Sequence, residues 1–256
     1  QNFGNSGKTL LKEDANGYTK TDTYKNSVAF APDVVTIMLG TNDSKDAVWN
    51  AYGDKYEQEL RELVQAYRDL PSHPLVILAT SPTAYNRNWT INNEVITNEI
   101  VPAQRRVATE MNCPLIDANT ATQNVADKFA DGIHPNDAGY VVLADLFAKD
   151  ITAASTGVYG FTLAGQTGVV DSEKGTIAVT LPADADLTAL EPQFQLMAGA
   201  TVSPAGTADF TKPVTYTVTS PDLKTTKIYT VTVTKEASVV NKNALKAALD
   251  AEVIDL

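Results

Sequence analysis

The sequence predicts an α/β fold built on a parallel sheet, followed by a small all-β sandwich. Three observations predict it. Two short apolar runs, Asp33-Val34-Val35-Thr36-Ile37-Met38-Leu39 and Leu75-Val76-Ile77-Leu78-Ala79, read as strands buried on both faces. Between them Tyr56, Leu60, Leu63, Val64, Tyr67 and Leu70 recur at helical spacing. After Ala153 the helical period stops and Val, Thr and Tyr alternate instead.

Taken in order, the first strand ends at Gly40, and Pro71 is expected to close the following helix. The second strand ends in Thr80-Ser81-Pro82 and leads into a polar, Asn-rich loop holding Tyr85 and Trp89. A helix is expected from near Asn92 to Met111, with Pro102 as a kink or break. Pro114 to Asp117 reads as a third strand, and Asn136 or Asp137 as the cap of a last helix through Val141, Leu143, Ala144, Leu146 and Phe147. Strand–helix alternation of this kind gives a parallel sheet with helices on both faces. Ligands of such sheets bind at the carboxyl ends of the strands, so the loops after Leu39 and Ala79 should share one rim. The expected divisions are residues 1–153, a linker at 154–157, a β-sandwich at 158–236 and the start of a helical segment at 237–256. In the sandwich, Gly175–Leu181, Val214–Thr219 and Ile228–Thr234 alternate, with Pro221–Lys224 as a turn.

Charge narrows the function classes. With 31 acidic against 20 basic residues the net charge is −11, which repels phosphate backbones and excludes nucleic acid as a ready partner. Neutral sugars remain compatible. No apolar run is long enough for a transmembrane helix. Cys113 is the single cysteine, so no internal disulfide forms, and it reads as a small buried side chain before a strand. Two isolated histidines and one cysteine show no metal-ligand spacing. His73, in Pro71-Ser72-His73-Pro74, belongs to a helix-to-strand loop on the far rim.

Three blocks carry chemistry. Asp131-Gly132-Ile133-His134-Pro135 places a carboxylate three residues before an imidazole, on a loop ahead of a helix. Acyl transfer by a serine needs such a base, and the base needs a carboxylate on its other nitrogen. Alone, the block is equally a surface Asp-Gly turn with an incidental histidine. Gly40-Thr41-Asn42-Asp43 offers an amide donor at a strand's carboxyl end, suited to an oxyanion, though Asn and Asp also serve plain turns. Asn2-Phe3-Gly4-Asn5-Ser6-Gly7-Lys8-Thr9 offers the Gly7 N–H unobstructed by a side chain. It is not a phosphate loop, which needs four residues between its glycines where this block has two.

In this order the three blocks resemble the SGNH (GDSL-type) hydrolases, from Gln1 to about Ala153. The resemblance implies a three-layer α/β/α fold and hydrolysis of an ester, often an O-acetyl group on carbohydrate. It implies Asp131 and His134 as acid and base, Gly7 and Asn42 as oxyanion donors, and no cofactor. The family's nucleophile lies in a Gly-Asp-Ser block that this sequence lacks. That serine is expected upstream of Gln1, and the chain is expected to begin in mid-domain without the first strand and nucleophile loop. Such a chain should be inactive and less stable than the complete domain. Ser6, Ser44 and Ser81 are not the expected substitutes.

Trp49, Tyr52, Tyr85 and Trp89 flank the active-site loops. Their faces suit sugar rings, and equally suit loop packing. The β region resembles cadherin-like or immunoglobulin-like modules of exported polysaccharide enzymes, on Phe210–Tyr216 and Tyr229–Val233, and is expected to be a spacer or to associate with cell wall or polysaccharide. The expected placement is extracellular or on the cell surface, and the expected partner an acylated carbohydrate. The alternatives are a non-catalytic sugar-binding or surface protein on the same fold, and a lipid or lysophospholipid esterase.

Overall fold

The structure, a computed structural model, describes residues 1–237. The helix expected over 237–256 lies almost wholly outside them. The described chain divides into two compact units. One comprises Gln1–Tyr159 with Leu196–Thr201 and Val218–Thr226; the other comprises Gly160–Gln195, Val202–Thr217 and the chain from Lys227.

The first unit holds a parallel sheet of β1 (Val34–Ile37), β2 (Leu75–Ala79) and β3 (Leu115–Ile116), in that order. Val34 pairs with Leu75 through to Ile37 with Leu78, and Leu78 pairs with Leu115. Its helices are α1 (Asp22–Ala29), α2 (Asp46–Tyr52), α3 (Tyr56–Arg68), α4 (Asn93–Val95), α5 (Val101–Glu110), α6 (Ala118–Ala121) and α7 (Asp137–Ala154). Successive side chains on a strand point to opposite faces, and β2 shows the consequence. Val76 and Leu78 pack with Leu60, Leu63 and Val64 of α3 and with Ala103 and Val107 of α5. Leu75, Ile77 and Ala79 pack with Leu146, Phe147 and Ile151 of α7. The unit is a three-layer α/β/α fold.

Three boundaries differ from expectation, each for a local reason. β1 stops at Ile37 because the Leu39 carbonyl leaves the ladder to accept from Tyr56 Oη and Gln104 Nε2, both at 2.7 Å. Pro102 does not break its helix. A π segment at Ile96–Ile100, with Ile96 and Ile100 fully buried, leads into α5 with the proline in its first turn. β3 is only two residues long, because Pro114 has no N–H and Asp117 turns to cap α6 by accepting from Thr120 N. Asn136 caps α7 as expected, accepting from Gly139 N at 3.1 Å. Cys113 is buried before β3, and burial pushes its thiol up.

The β region forms two sheets. One orders β6 (Val169–Asp171), β7 (Thr176–Leu181), β11 (Thr226–Lys235), β10 (Val214–Thr219) and β9 (Thr201–Ser203); the other orders β5 (Gln166–Thr167), β4 (Val158–Leu163) and β8 (Pro192–Leu196). Ile177, Val179 and Leu181 alternate into the core. Phe194 of the second sheet meets Tyr216 of the first at 4.9 Å between ring centroids.

Candidate active site

The loop holding Asp131 and His134 is closed by its own backbone. Phe129 and Pro135 form an antiparallel bridge, and Gly132 N donates to Phe129 O at 3.0 Å. Gly132 sits at φ +78°, and a Cβ there would lie 2.2 Å from Asn86 Nδ2, so only glycine permits both the turn and the approach. Closure lets Asp131 Oδ1 accept from Ile133 N at 2.8 Å and His134 N at 2.7 Å. Asp131 Oδ2 lies 2.7 Å from His134 Nδ1. A carboxylate only accepts, so Nδ1 carries the proton and Nε2 presents its lone pair. The His134 amide, the His134 ring and the Ile133 amide hold Asp131 down to about 2, so it stays ionised at neutral pH. The His134 ring is exposed, and Nε2 has no hydrogen-bond partner among the described residues.

The Gly40–Asp43 turn is built at the carboxyl end of β1. Gly40 sits at φ +143°, and a Cβ would fall 2.4 Å from Ser81 Oγ and 2.8 Å from Tyr56 Oη. Buried Gln104 fastens this turn to the end of β2. Its Nε2 donates to Leu39 O at 2.7 Å, and its Oε1 accepts from Ser81 N at 2.9 Å. The Asn42 side-chain amide makes no hydrogen bond among the described residues and stays available. Asp43, fully buried, reaches back to the N-terminal segment. Its Oδ1 accepts from Leu10 N at 2.8 Å and Leu11 N at 3.1 Å, while Oδ2 is buried with no partner among the described residues. Burial raises Asp43 to about 7 against these two donors. Gly7, three residues before Leu10, keeps its N–H free of partners among the described residues.

Residues 84–93 link the Gly40–Asp43 turn to the Asp131–His134 loop. Asn92 N donates to Ser44 Oγ at 3.1 Å, and Asn92 Nδ2 to Asp46 Oδ1 at 2.9 Å. At the other end Asn86 Nδ2 and Asn88 Nδ2 both donate to Asp131 O, the latter at 2.8 Å. Ala84, Ile91 and Ile133 share one small apolar cluster under the loop. The direct contact seen among the four candidate residues is Asp131 with His134. Asp43, next to Asn42, ties that turn to Leu10 and Leu11, a few residues after Gly7.

The four flanking aromatics separate. Trp49 packs on Tyr56 at 5.7 Å and donates Nε1 to Glu99. Tyr85 packs on Phe129 at 5.4 Å and bonds Thr122 O and Val125 N through its hydroxyl. Tyr52 lies under the Lys55 ammonium. Trp89 alone is set against His134, at 5.3 Å between centroids, and is 57% exposed. Ser44 and Ser81 are fully buried: Ser44 Oγ donates to Thr41 O and accepts from Asn92 N, and Ser81 Oγ accepts from Gln104 Nε2 rather than from local backbone. His73 is exposed in the loop before β2. Sequence reasoning missed Gln104, Asn86 and Asn88. Gln104 sits on a helix and the two asparagines in a polar loop, where neither period nor motif sets them apart. Asp43 was visible in its block, but its partners 32 and 33 residues away were not.

The three-layer parallel α/β fold is of the SGNH hydrolase type, and within it Asp131 holds His134 ahead of α7 while Asn42 stands in the turn after β1. Residues 1–142 match the GDSL-like Lipase/Acylhydrolase family, and the chain belongs to that family. Residues 158–233 match the family described as SGBP, N-terminal. An acetylxylan esterase from Xylanibacter ruminicola is 37% identical over 169 residues, covering 59% of this chain and 35% of that protein. A multidomain esterase from Ruminococcus flavefaciens is 29% identical over 126 residues, covering 48% and 16%. An acetylxylan esterase from Geobacillus stearothermophilus is 28% identical over 169 residues, covering 59% and 70%. The chain thus spans 35% and 16% of the lengths of the first two. The solved lipase/acylhydrolase from Enterococcus faecalis is 27% identical, covering 57% of this chain and 71% of that one at a TM-score of 0.47.

Proposed function

We propose that residues 1–153 are most of the catalytic unit of a serine carbohydrate esterase that removes O-acetyl or similar acyl groups, with acetylated xylan as the substrate class. One observation carries the reading: Asp131 Oδ2 lies 2.7 Å from His134 Nδ1 while loop amides pin Oδ1. In the reaction a serine Oγ attacks the ester carbonyl and His134 Nε2 takes its proton. Asp131 holds the imidazolium. The tetrahedral oxyanion accepts from Gly7 N–H and the Asn42 amide. His134 then returns the proton to the leaving sugar hydroxyl, and water repeats the sequence on the acyl-enzyme. No cofactor enters this scheme.

The serine is proposed to come from a segment upstream of Gln1, on a further strand beside β1. Two observations support this. β1 has β2 as its only strand neighbour among the described residues, and α7 leaves Tyr140 and Val141 exposed. Residues 1–256 alone are then inactive, and serine-dependent hydrolysis of an aryl acetate by them would overturn that part. In the full-length enzyme, Asn42→Ala lowers turnover about 10²–10³-fold if Asn42 is an oxyanion donor. Near-normal turnover would remove Asn42 from the scheme. The β region is proposed as an appended module that associates with polysaccharide or spaces the catalytic unit from it. The xylan-related names of two relatives and the net charge of −11, which suits a neutral polymer, support the carbohydrate reading over a lipid one.

A further inference from the structure

Trp89 stands in a conformation that exposes it at a cost. It and Thr90 take left-handed backbone angles, φ +55° and +63°, which non-glycine residues rarely adopt. The surrounding loop holds that strain. Thr90 N donates to Arg87 O at 3.0 Å and Asn88 N to Asn86 Oδ1 at 2.9 Å. Arg87 pairs with Asp46 at 2.5 Å, and Ile91 is buried beside Ile133. Asn86 and Asn88 then bind the Asp131 carbonyl, so the loop that carries Trp89 is fastened to the loop that carries His134. A large apolar side chain fixed in water by strained backbone calls for a ligand. Trp49 and Tyr85 are absorbed into the framework, whereas Trp89 meets the His134 ring edge-on and stays 57% exposed beside that ring.

We propose that Trp89 is the floor of a pyranose subsite beside His134, seating the neutral sugar residue that carries the ester. This rests on the reading of His134 as the general base. The C–H face of a xylose-type ring matches a flat indole, and its hydroxyls remain free for polar neighbours. Asn86, Asn88 and Trp89 form one unit. The amides fix the floor to the base, so a sugar stacked on the indole brings its acyl group to Nε2.

The test compares two esters in the full-length enzyme: an acetylated xylo-oligosaccharide and ethyl acetate, which has no ring to stack. Trp89→Ala lowers the ratio of their kcat/KM values on the order of tenfold, through KM for the sugar ester, as loss of buried apolar area predicts. Trp89→Phe keeps most of the ratio. An unchanged ratio in Trp89→Ala overturns the subsite. If the unsubstituted enzyme cleaves neither ester, the esterase reading fails, and a second arm still decides Trp89. Residues 1–256 are titrated with xylotetraose while tryptophan emission is read. A saturable change that vanishes in Trp89→Ala supports the subsite. No change, or one that persists with Trp49 as the sole tryptophan, overturns it.

Discussion

Asp43→Asn offers the sharpest physical test of how the site is assembled. Asp43 is fully buried, with Oδ1 on the Leu10 and Leu11 amides and Oδ2 facing no donor among the described residues. Burial raises its folded value to about 7, against about 3.9 for an unfolded aspartate. Between those two values the folded chain holds a proton that the unfolded chain has lost. Stability therefore falls as pH rises across that window, by at most about 1.4 kcal/mol per pH unit. Over the full window this amounts to about 4 kcal/mol, present in acid and absent above pH 7. Asparagine keeps an acceptor for the two amides, puts N–H at the orphan position and does not titrate. Urea unfolding of both chains between pH 4 and 8, read by the two tryptophans of the α/β unit, isolates the effect. Groups such as Asp131 cancel in the difference. The variant is expected to gain on the parent by about 4 kcal/mol from the acid end to the alkaline end. A difference constant in pH would show that Asp43 folds as an ordinary ionised carboxylate, and the reasoning would fail.

Other outcomes follow from the same contacts. Asp131→Asn in the full-length enzyme should lower kcat by about 10⁴-fold, because an amide favours the wrong imidazole tautomer, while urea unfolding shows the loop still folded. Retention of a tenth of the activity would argue against the pair. Gly132→Ala places a Cβ 2.2 Å from Asn86 Nδ2 at φ +78°, and should cost about 1–3 kcal/mol with a matching fall in Tm. Leu60→Ala empties a site in the α3 layer that is 1% exposed, and should cost about 2–5 kcal/mol in urea unfolding.

Much of the site was legible in the chain. The pair Asp131 and His134 lies within one turn, so their meeting needed only Gly132 and a closed loop. The apolar, β-branched runs at Val34–Ile37 and Leu75–Ala79 announced strands, but only Leu75–Ala79 is buried throughout. In the first run Ile37 is buried and Thr36 is exposed, so burial on both faces held for β2 alone. The boundaries were less legible, since a strand ends where its carbonyls find other partners. The Leu39 carbonyl turns to Tyr56 and Gln104, which are 17 and 65 residues away. Trp49, Tyr52, Tyr85 and Trp89 looked alike in the sequence for a related reason. Whether an aromatic packs or faces solvent depends on neighbours that only folding brings near.

The α/β class, the order of the three blocks and the local pairing of Asp131 with His134 all depend on short-range spacing and periodicity, and so were readable from the chain alone. What joins them emerged in the folded chain. Asp43 ties the Gly7 segment to the Asn42 turn, and Asn86 and Asn88 tie the Trp89 loop to Asp131. These are single hydrogen bonds across long stretches of chain, and no periodicity encodes a contact made once.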